Sequence, residues 1–335
     1  MKRLLTVSAI LAAGAAFTVA PASAQKTYTM KIGFVTINDS NHRMASWMKK
    51  DLEAKSGGRI KVGVFPAGQL GKVPRQIEGI QLGTQESFLI PPGFFVGINR
   101  AYMVTDAPGL FDSIAHQYRA ANHPPFRDRF FKLGEDKGIL GNAIWSCGDT
   151  AVNTIKPFRK LADIKGLKIR VLATPLERAV MEKMGATGVP MPYTEVLPGM
   201  QRKTIDGVRT GIIVMFPSKF YTVAKHVTLS ATAHITCAQF LSASWMKSLP
   251  DDLRAMVVQS GRDVTPLVGK WGEDMTRAAE KKWTEVGGSV HRLPEAEQKD
   301  LIKRVATIGD EILGKDPRTS EMFTLLKQAA AATRQ

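Results

Sequence analysis

Apolar and polar residues alternate along this chain with two different periods, and the switches between them mark out strands and helices. Tyr28, Met30, Ile32 and Phe34 alternate with polar or small residues, which predicts a first strand. Asp39-Ser40 then supplies a helix-capping signal ahead of Met44, Trp47, Met48 and Leu52 at helical spacing. Gly57-Gly58 stops that helix, and Ile60, Val62 and Val64 alternate again as a second strand. Pro74 opens a short helix that closes at Gly83, before the apolar run Phe88-Leu89-Ile90. Strand, helix, strand, helix, strand is the pattern of an α/β lobe with right-handed crossovers.

A second lobe of the same kind follows. Lys168-Ile169-Arg170-Val171 reads as a strand, Pro175 to Gly185 as a helix, and Ile212-Ile213-Val214-Met215 as a further buried segment. Ser248-Leu249-Pro250-Asp251 reads as a capping box. From Leu253 to Val286 the apolar residues keep helical spacing, which predicts one helix over about 250–286, bent at Pro266. At 1.5 Å per residue it is about 50 Å long, more than one small domain can cover, so it must cross both lobes. The tail from Asp310 through Met322 and beyond reads as an Ala-rich helix with a frayed end. The expectation is an α/β protein of two lobes around a central cleft: 25–147 plus about 236–270, and 148–235 plus about 271–335.

Composition narrows the class. The 335 residues are 44% hydrophobic and 23% charged, which excludes a disordered chain and a polytopic membrane protein. Forty-six basic against thirty acidic side chains give a net charge of +16, which suits nucleic acid, an anionic membrane or a small anion. Met1-Lys2-Arg3, the apolar stretch from Leu4 to Ala20, and Ala22-Ser23-Ala24 form a secretory signal, with cleavage expected after Ala24. An exported chain, with basic residues scattered and no aromatic-basic repeat, is not a nucleic-acid binder. Cys147 and Cys237 stand in apolar runs far apart in sequence and are expected to be buried free thiols. The six histidines lack metal-ligand spacing, and GxSxG, GxGxxG and Walker patterns are absent, so neither enzyme, cofactor nor metal is expected. Ligands of open α/β sheets bind at the carboxyl ends of strands near helix N-termini, which singles out Arg170 and the 38–42 loop with Asn41.

Five segments carry a family likeness: Ser56-Gly57-Gly58-Arg59-Ile60-Lys61-Val62; Phe65-Pro66-Ala67-Gly68-Gln69-Leu70-Gly71; Asp163 through Val171; Ile205-Asp206-Gly207; and Trp245 through Pro250. In this order and spacing the chain resembles the periplasmic solute-binding proteins of tripartite ATP-independent periplasmic (TRAP) transporters. The resemblance implies the two-lobed periplasmic solute-binding protein fold, and capture of a small organic anion for delivery to the small and large membrane subunits of a permease. A subunit serving a sensor or another importer class is the alternative. A monomer is expected, with a homodimer open. The resemblance further implies that Arg170 grips a carboxylate with its planar fork, as the geometry of a guanidinium suits. Tyr193 matches an aromatic position of the family's binding region. Two departures stand out. Gly148-Asp149-Thr150 replaces Gly-x-Arg, which leaves Thr150 where a second cation is usual. Asp206-Gly207-Val208-Arg209-Thr210 replaces Asp-Gly-x-Glu-Asn, which brings Arg209 and Thr210 to the site region. Together they point away from dicarboxylates and sialic acids. Trp145 and Phe216, with Phe94 and Phe95, are candidate aromatic walls, and the expected ligand is a monocarboxylate with an apolar or aromatic body.

Overall fold

The computed structural model describes residues 26–335; the expected export signal lies outside the described residues. The first part runs β1 (Tyr28–Gly33), α1 (Ser40–Lys55), β2 (Ile60–Phe65), α2 (Val73–Leu82) and β3 (Ser87–Ile90), then α3 (Ile114–Ala121) and α4 (Pro124–Phe130). The capping signal before α1 acts as such, because Asp39 Oδ1 accepts from the His42 amide at 3.1 Å. Helix α2 ends at Gly83, whose φ of 75° is open to a residue without a Cβ. A long strand, β4 (Ile139–Thr154), leads to β5 (Lys168–Val171), α5 (Pro175–Met184), β6 (Thr187–Pro190), α6 (Val196–Gln201), β7 (Gly207–Gly211) and the single turn α7 (Ile212–Met215). A second long strand, β8 (His226–Ser242), returns to α8 (Ala243–Ser248) and α9 (Asp251–Glu285); then follow β9 (Ser289–Arg292), α10 (Glu295–Ile308) and α11 (Ser320–Thr333).

The nine strands of the described residues form one sheet, in the order β2-β1-β3-β8-β4-β7-β5-β6, with β9 on β8. The sheet has two halves because β4 and β8 are long enough to serve both. The end of β8 takes β3 beside Ala238–Leu241, while its start takes β9. The end of β4 takes β7 beside Thr150–Thr154. Between the halves, at Ser146–Ala151 of β4, the register against β8 shifts twice, with Gly148 at φ 93° and Ala231 at φ 40°. Apolar clusters cover the sheet. One, around Met30, Met48, Trp145, Trp245 and Leu253, serves the first half. Another, around Val208, Met215, Phe220 and Trp283, serves the second. A third spans both and includes Phe88, Phe240, Ile169 and Val180.

Helix α9 is a single helix of 35 residues with Pro266 inside it. It packs on α1 and β4 at one end and on α7 and β9 at the other, so it lies across both halves. Its close approach to β4 requires a bare backbone at Gly261, where a Cβ would fall 2.4 Å from Asn142 Nδ2. Three expectations are corrected here. The residue at the N-cap of α9 is Pro250, without a side-chain cap, and the Ser248 hydroxyl donates to the Trp245 carbonyl instead (2.7 Å). The tail is not one frayed helix: α10 passes into a π-helical turn, Gly309–Gly314, and α11 starts afresh at Ser320. Its end is tied down on α3 by His116 Nε2 to the Ala330 carbonyl (2.8 Å) and by Arg119 Nε donating to the Thr333 carbonyl (3.0 Å).

The third correction concerns the cysteines. Cys147 and Cys237 form a disulfide with Cα atoms 5.9 Å apart. Ninety residues separate them in sequence, but β4 and β8 are neighbours, and the register that pairs Trp145 with Cys237 brings the two thiols together. Replacing both, Cys147→Ser with Cys237→Ser, should lower unfolding stability by about 2–5 kcal/mol, measured by denaturant titration of the purified protein. An unchanged midpoint would show that the two strands do not depend on the link.

Candidate functional site

The carboxyl ends of strands from both halves converge on one narrow cavity of ≈ 40 Å³. Val35 and Thr36 follow β1, Ile90 and Pro91 end β3, Arg170 and Leu172 come from the end of β5, and Thr210 from β7. Asp39 and Asn41 enter from the N-terminus of α1, Tyr193 and Phe94 from loops, and the disulfide forms part of the wall. In open α/β sheets, connections that leave the carboxyl ends of neighbouring strands in different directions open a crevice there, which is why the cavity lies at those ends.

Arg170 dominates the chemistry. It is 1% exposed, and its Nε donates to the Met191 carbonyl (2.9 Å). Both terminal nitrogens, Nη1 and Nη2, are buried without a hydrogen-bond partner. Its guanidinium lies 5.7 Å from the centre of the Tyr193 ring, whose hydroxyl is held by the Val214 carbonyl (3.1 Å) and Ser218 Oγ (2.5 Å). Burial pushes the Arg170 guanidinium down to about 10, so it stays charged at neutral pH. A desolvated cation with two unused donors is costly alone and is matched by an anion that accepts both bonds.

Asn41 Nδ2 donates to Thr36 Oγ1 (3.4 Å) beside this cation, and Thr210 faces the cavity from β7. Of the residues singled out from sequence, Arg170, Tyr193, Thr210 and Asn41 therefore meet at one place. Trp145, Thr150, Phe216 and Arg209 do not reach it. Trp145 is buried in the core of the first half. Thr150 bonds within the sheet to Thr232 Oγ1 (3.1 Å) and to the Ala233 amide. Phe216 lines a wider opening of ≈ 560 Å³ next to Asp39, where it stacks with Tyr221. Phe94 lines the cavity, whereas Phe95 packs on Tyr102 and Phe240. Asp39 lies in the 38–42 loop that the sequence singled out, while Thr36, Val35, Ile90, Pro91 and Leu172 were not singled out as lining. Their common signal is position one or two residues beyond a strand, or at a helix cap.

Residues 33–316 match the profile of DctP, the bacterial extracellular solute-binding proteins of family 7. The chain belongs to family 7. The 2,3-diketo-L-gulonate-binding periplasmic protein YiaO of Escherichia coli is 29% identical over 263 residues, which cover 78% of this chain and 79% of that protein. A solved TRAP periplasmic solute-binding protein from Xanthobacter autotrophicus with bound β-D-galacturonate has 25% identity and a TM-score of 0.81, covering 89% of this chain and 99% of its own. One from Desulfovibrio salexigens with bound orotic acid has 22% identity and a TM-score of 0.86, over 92% and 100%. This chain is thus a TRAP-type solute-binding protein and not an enzyme. Its likeness to the Desulfovibrio protein supports the two-lobed fold. Among the described residues no helix is long and apolar enough to cross a membrane.

Within this family 7 protein, Arg209 turns away from the cavity because alternate residues of β7 face opposite sides of the sheet. Thr210 faces in and Arg209 faces the packed layer behind, where it is 1% exposed. Its Nη1 pairs with Glu177 of α5 and its Nη2 donates to Thr232 Oγ1 (3.0 Å). Asp106 completes the cluster, accepting from the Thr174 hydroxyl at 3.0 Å. Burial, reinforced by the nearby Glu177 charge, pushes Asp106 up to about 7. A carboxyl raised in the native state binds its proton there while the unfolded state has lost it. Its contribution to stability therefore falls as pH rises from about 4, where free carboxyls ionise, through about 7. Asp106→Asn should lack that loss: measured by thermal melts, the variant should gain on the wild type between pH 5 and pH 8 and stop gaining above. A difference independent of pH would show that Asp106 is ionised throughout.

Proposed function

We propose that this protein captures a small hydroxylated monocarboxylic acid of the sugar-acid class in the periplasm and passes it to the membrane subunits of a TRAP transporter. The observation that carries the reading is the Arg170 guanidinium, buried beside the cavity with both terminal nitrogens unpartnered. A carboxylate supplies two oxygens in the plane of that fork. The count of carboxylates follows from charge. Arg209 is neutralised by Glu177 behind the sheet, and Thr150 stands where a second cation would be, so Arg170 is the cation the cavity offers among the described residues. The sugar-acid class is supported by the diketogulonate-binding relative and the galacturonate-bound neighbour. This replaces the apolar or aromatic body expected from sequence, for which Trp145 and Phe216 were to supply walls. The apolar lining from Ile90, Phe94, Leu172 and Val214 suits the C–H face of a sugar ring.

Arg170→Ala leaves a carboxylate desolvated and unpaired, and should weaken binding of the best acid from a panel of uronates and aldonates by at least a hundredfold, about 3 kcal/mol. Arg170→Lys keeps the charge without the fork and should recover part of it. Titration calorimetry reads both, and binding of Arg170→Ala within threefold of wild type would overturn the assignment. The N-terminal signal pattern supports the periplasmic setting: N-terminal sequencing of the mature protein should find Gln25, and retained Met1 would argue against it.

A further inference from the structure

The cavity holds a second buried group without a partner, and it is an acid. Asp39 is 1% exposed; its Oδ1 caps α1 through the His42 amide, while its Oδ2 is buried with no hydrogen-bond partner. Its carboxyl lines the same space as Arg170, and both charges act on the Tyr193 phenol with opposite signs. Yet the two do not pair, since Arg170 forms no ion pair among the described residues and keeps both Nη atoms free. A carboxylate and a guanidinium that line one cavity without neutralising each other call for a ligand whose ends are complementary, an acceptor toward the guanidinium and a donor toward the carboxylate.

Resting on the carboxylate reading of Arg170, we propose that Asp39 is a specificity-determining residue whose free Oδ2 accepts a hydrogen bond from a hydroxyl group at the far end of the ligand. Burial pushes its carboxyl up to about 6, against the pull of the Thr36 hydroxyl and the first amides of α1, so at neutral pH it is ionised and able only to accept. An acid with no hydroxyl leaves that charge unpaired in the cavity. A site built to bond a hydroxyl rejects the analogue lacking it more strongly than an apolar pocket rejects a missing methylene. The sequence marks Asp39 as a helix cap within the 38–42 loop, and Oδ1 alone performs the capping.

The test uses Asp39→Asn and a matched pair of probes, D-galacturonate and cyclohexanecarboxylate. Asparagine is an equally good N-cap. With its carbonyl oxygen kept on the His42 amide, its NH₂ stands where Oδ2 was and turns an acceptor into a donor. Asp39→Ser, also a capping residue, removes the acceptor by shortening the side chain. In calorimetric titrations the wild type should prefer the hydroxylated probe. Both variants should lose at least tenfold in affinity for D-galacturonate and bind cyclohexanecarboxylate as tightly as the wild type or more tightly, because the unpaired charge is gone, with melting temperatures near wild type. Equal losses for both probes would make Asp39 a structural cap and overturn the inference, as would no loss at all. So would a wild type that binds the bare acid as tightly as the hydroxylated one, or a zwitterionic amino acid more tightly than either. In each of these cases Arg170→Ala still abolishes binding, and the carboxylate reading stands. If Arg170→Ala changes neither probe, or the wild type binds no acid, that reading fails and the inference falls with it.

Discussion

The antiparallel pairing of β4 with β8 is the contact on which the rest of the molecule depends. Sixteen and seventeen residues long, these strands are shared by both halves of the sheet, so each half is completed by segments that also belong to the other. The register shift at Ser146–Ala151 divides one pairing into two and lets each half turn its strand ends toward the other. Helix α9 repeats the connection outside the sheet, and the Cys147–Cys237 bond ties the strands where their ladder is weakest. The cavity is a product of this arrangement, because strand ends from the two halves face each other only when one pair of strands runs through both.

Such a site works by withholding partners. Most buried polar groups in a folded protein are satisfied internally. Around this cavity the sheet satisfies Thr150, Glu177 and Thr232 take the terminal nitrogens of Arg209, and Val214 and Ser218 hold the Tyr193 hydroxyl. Among the residues that line the cavity, the outer edge of Arg170 and one oxygen of Asp39 remain unsatisfied. The surrounding order makes those omissions specific. Met191 fixes the Nε of Arg170 and the α1 amide fixes Asp39, so neither side chain can turn away to find a substitute.

Local signals made much of the fold legible in the sequence. Alternation located β1, β2 and β5; the Asp39 cap located α1; proline at the start and glycine at the end bracketed α2 and α5; and apolar spacing over 251–285 implied a helix long enough to cross both halves. What failed to show depends on distant chain. The disulfide needs the β4–β8 register, which no local pattern encodes. Arg209 and Thr210 are adjacent in sequence, and only the pairing of β7 with β4 and β5 decides which faces the cavity. Trp145 is aromatic and near the crossing, yet its side of β4 is the core of the first half. The tail misled because its alanines suggest solvent-exposed helix, whereas Ala329 and Ala330 are buried under α3.

The split along β7 has a consequence for how this protein can change. Positions 208 and 210 lie on one side of a strand and 209 on the other, so one short stretch answers to two separate constraints. Thr210 faces the cavity and carries no charge, so position 210 can change one substitution at a time. Position 209 cannot, because an altered charge there strands Glu177 in the buried layer, and the two must be exchanged together. Adjacent residues of one strand thus differ in how many partners must change with them.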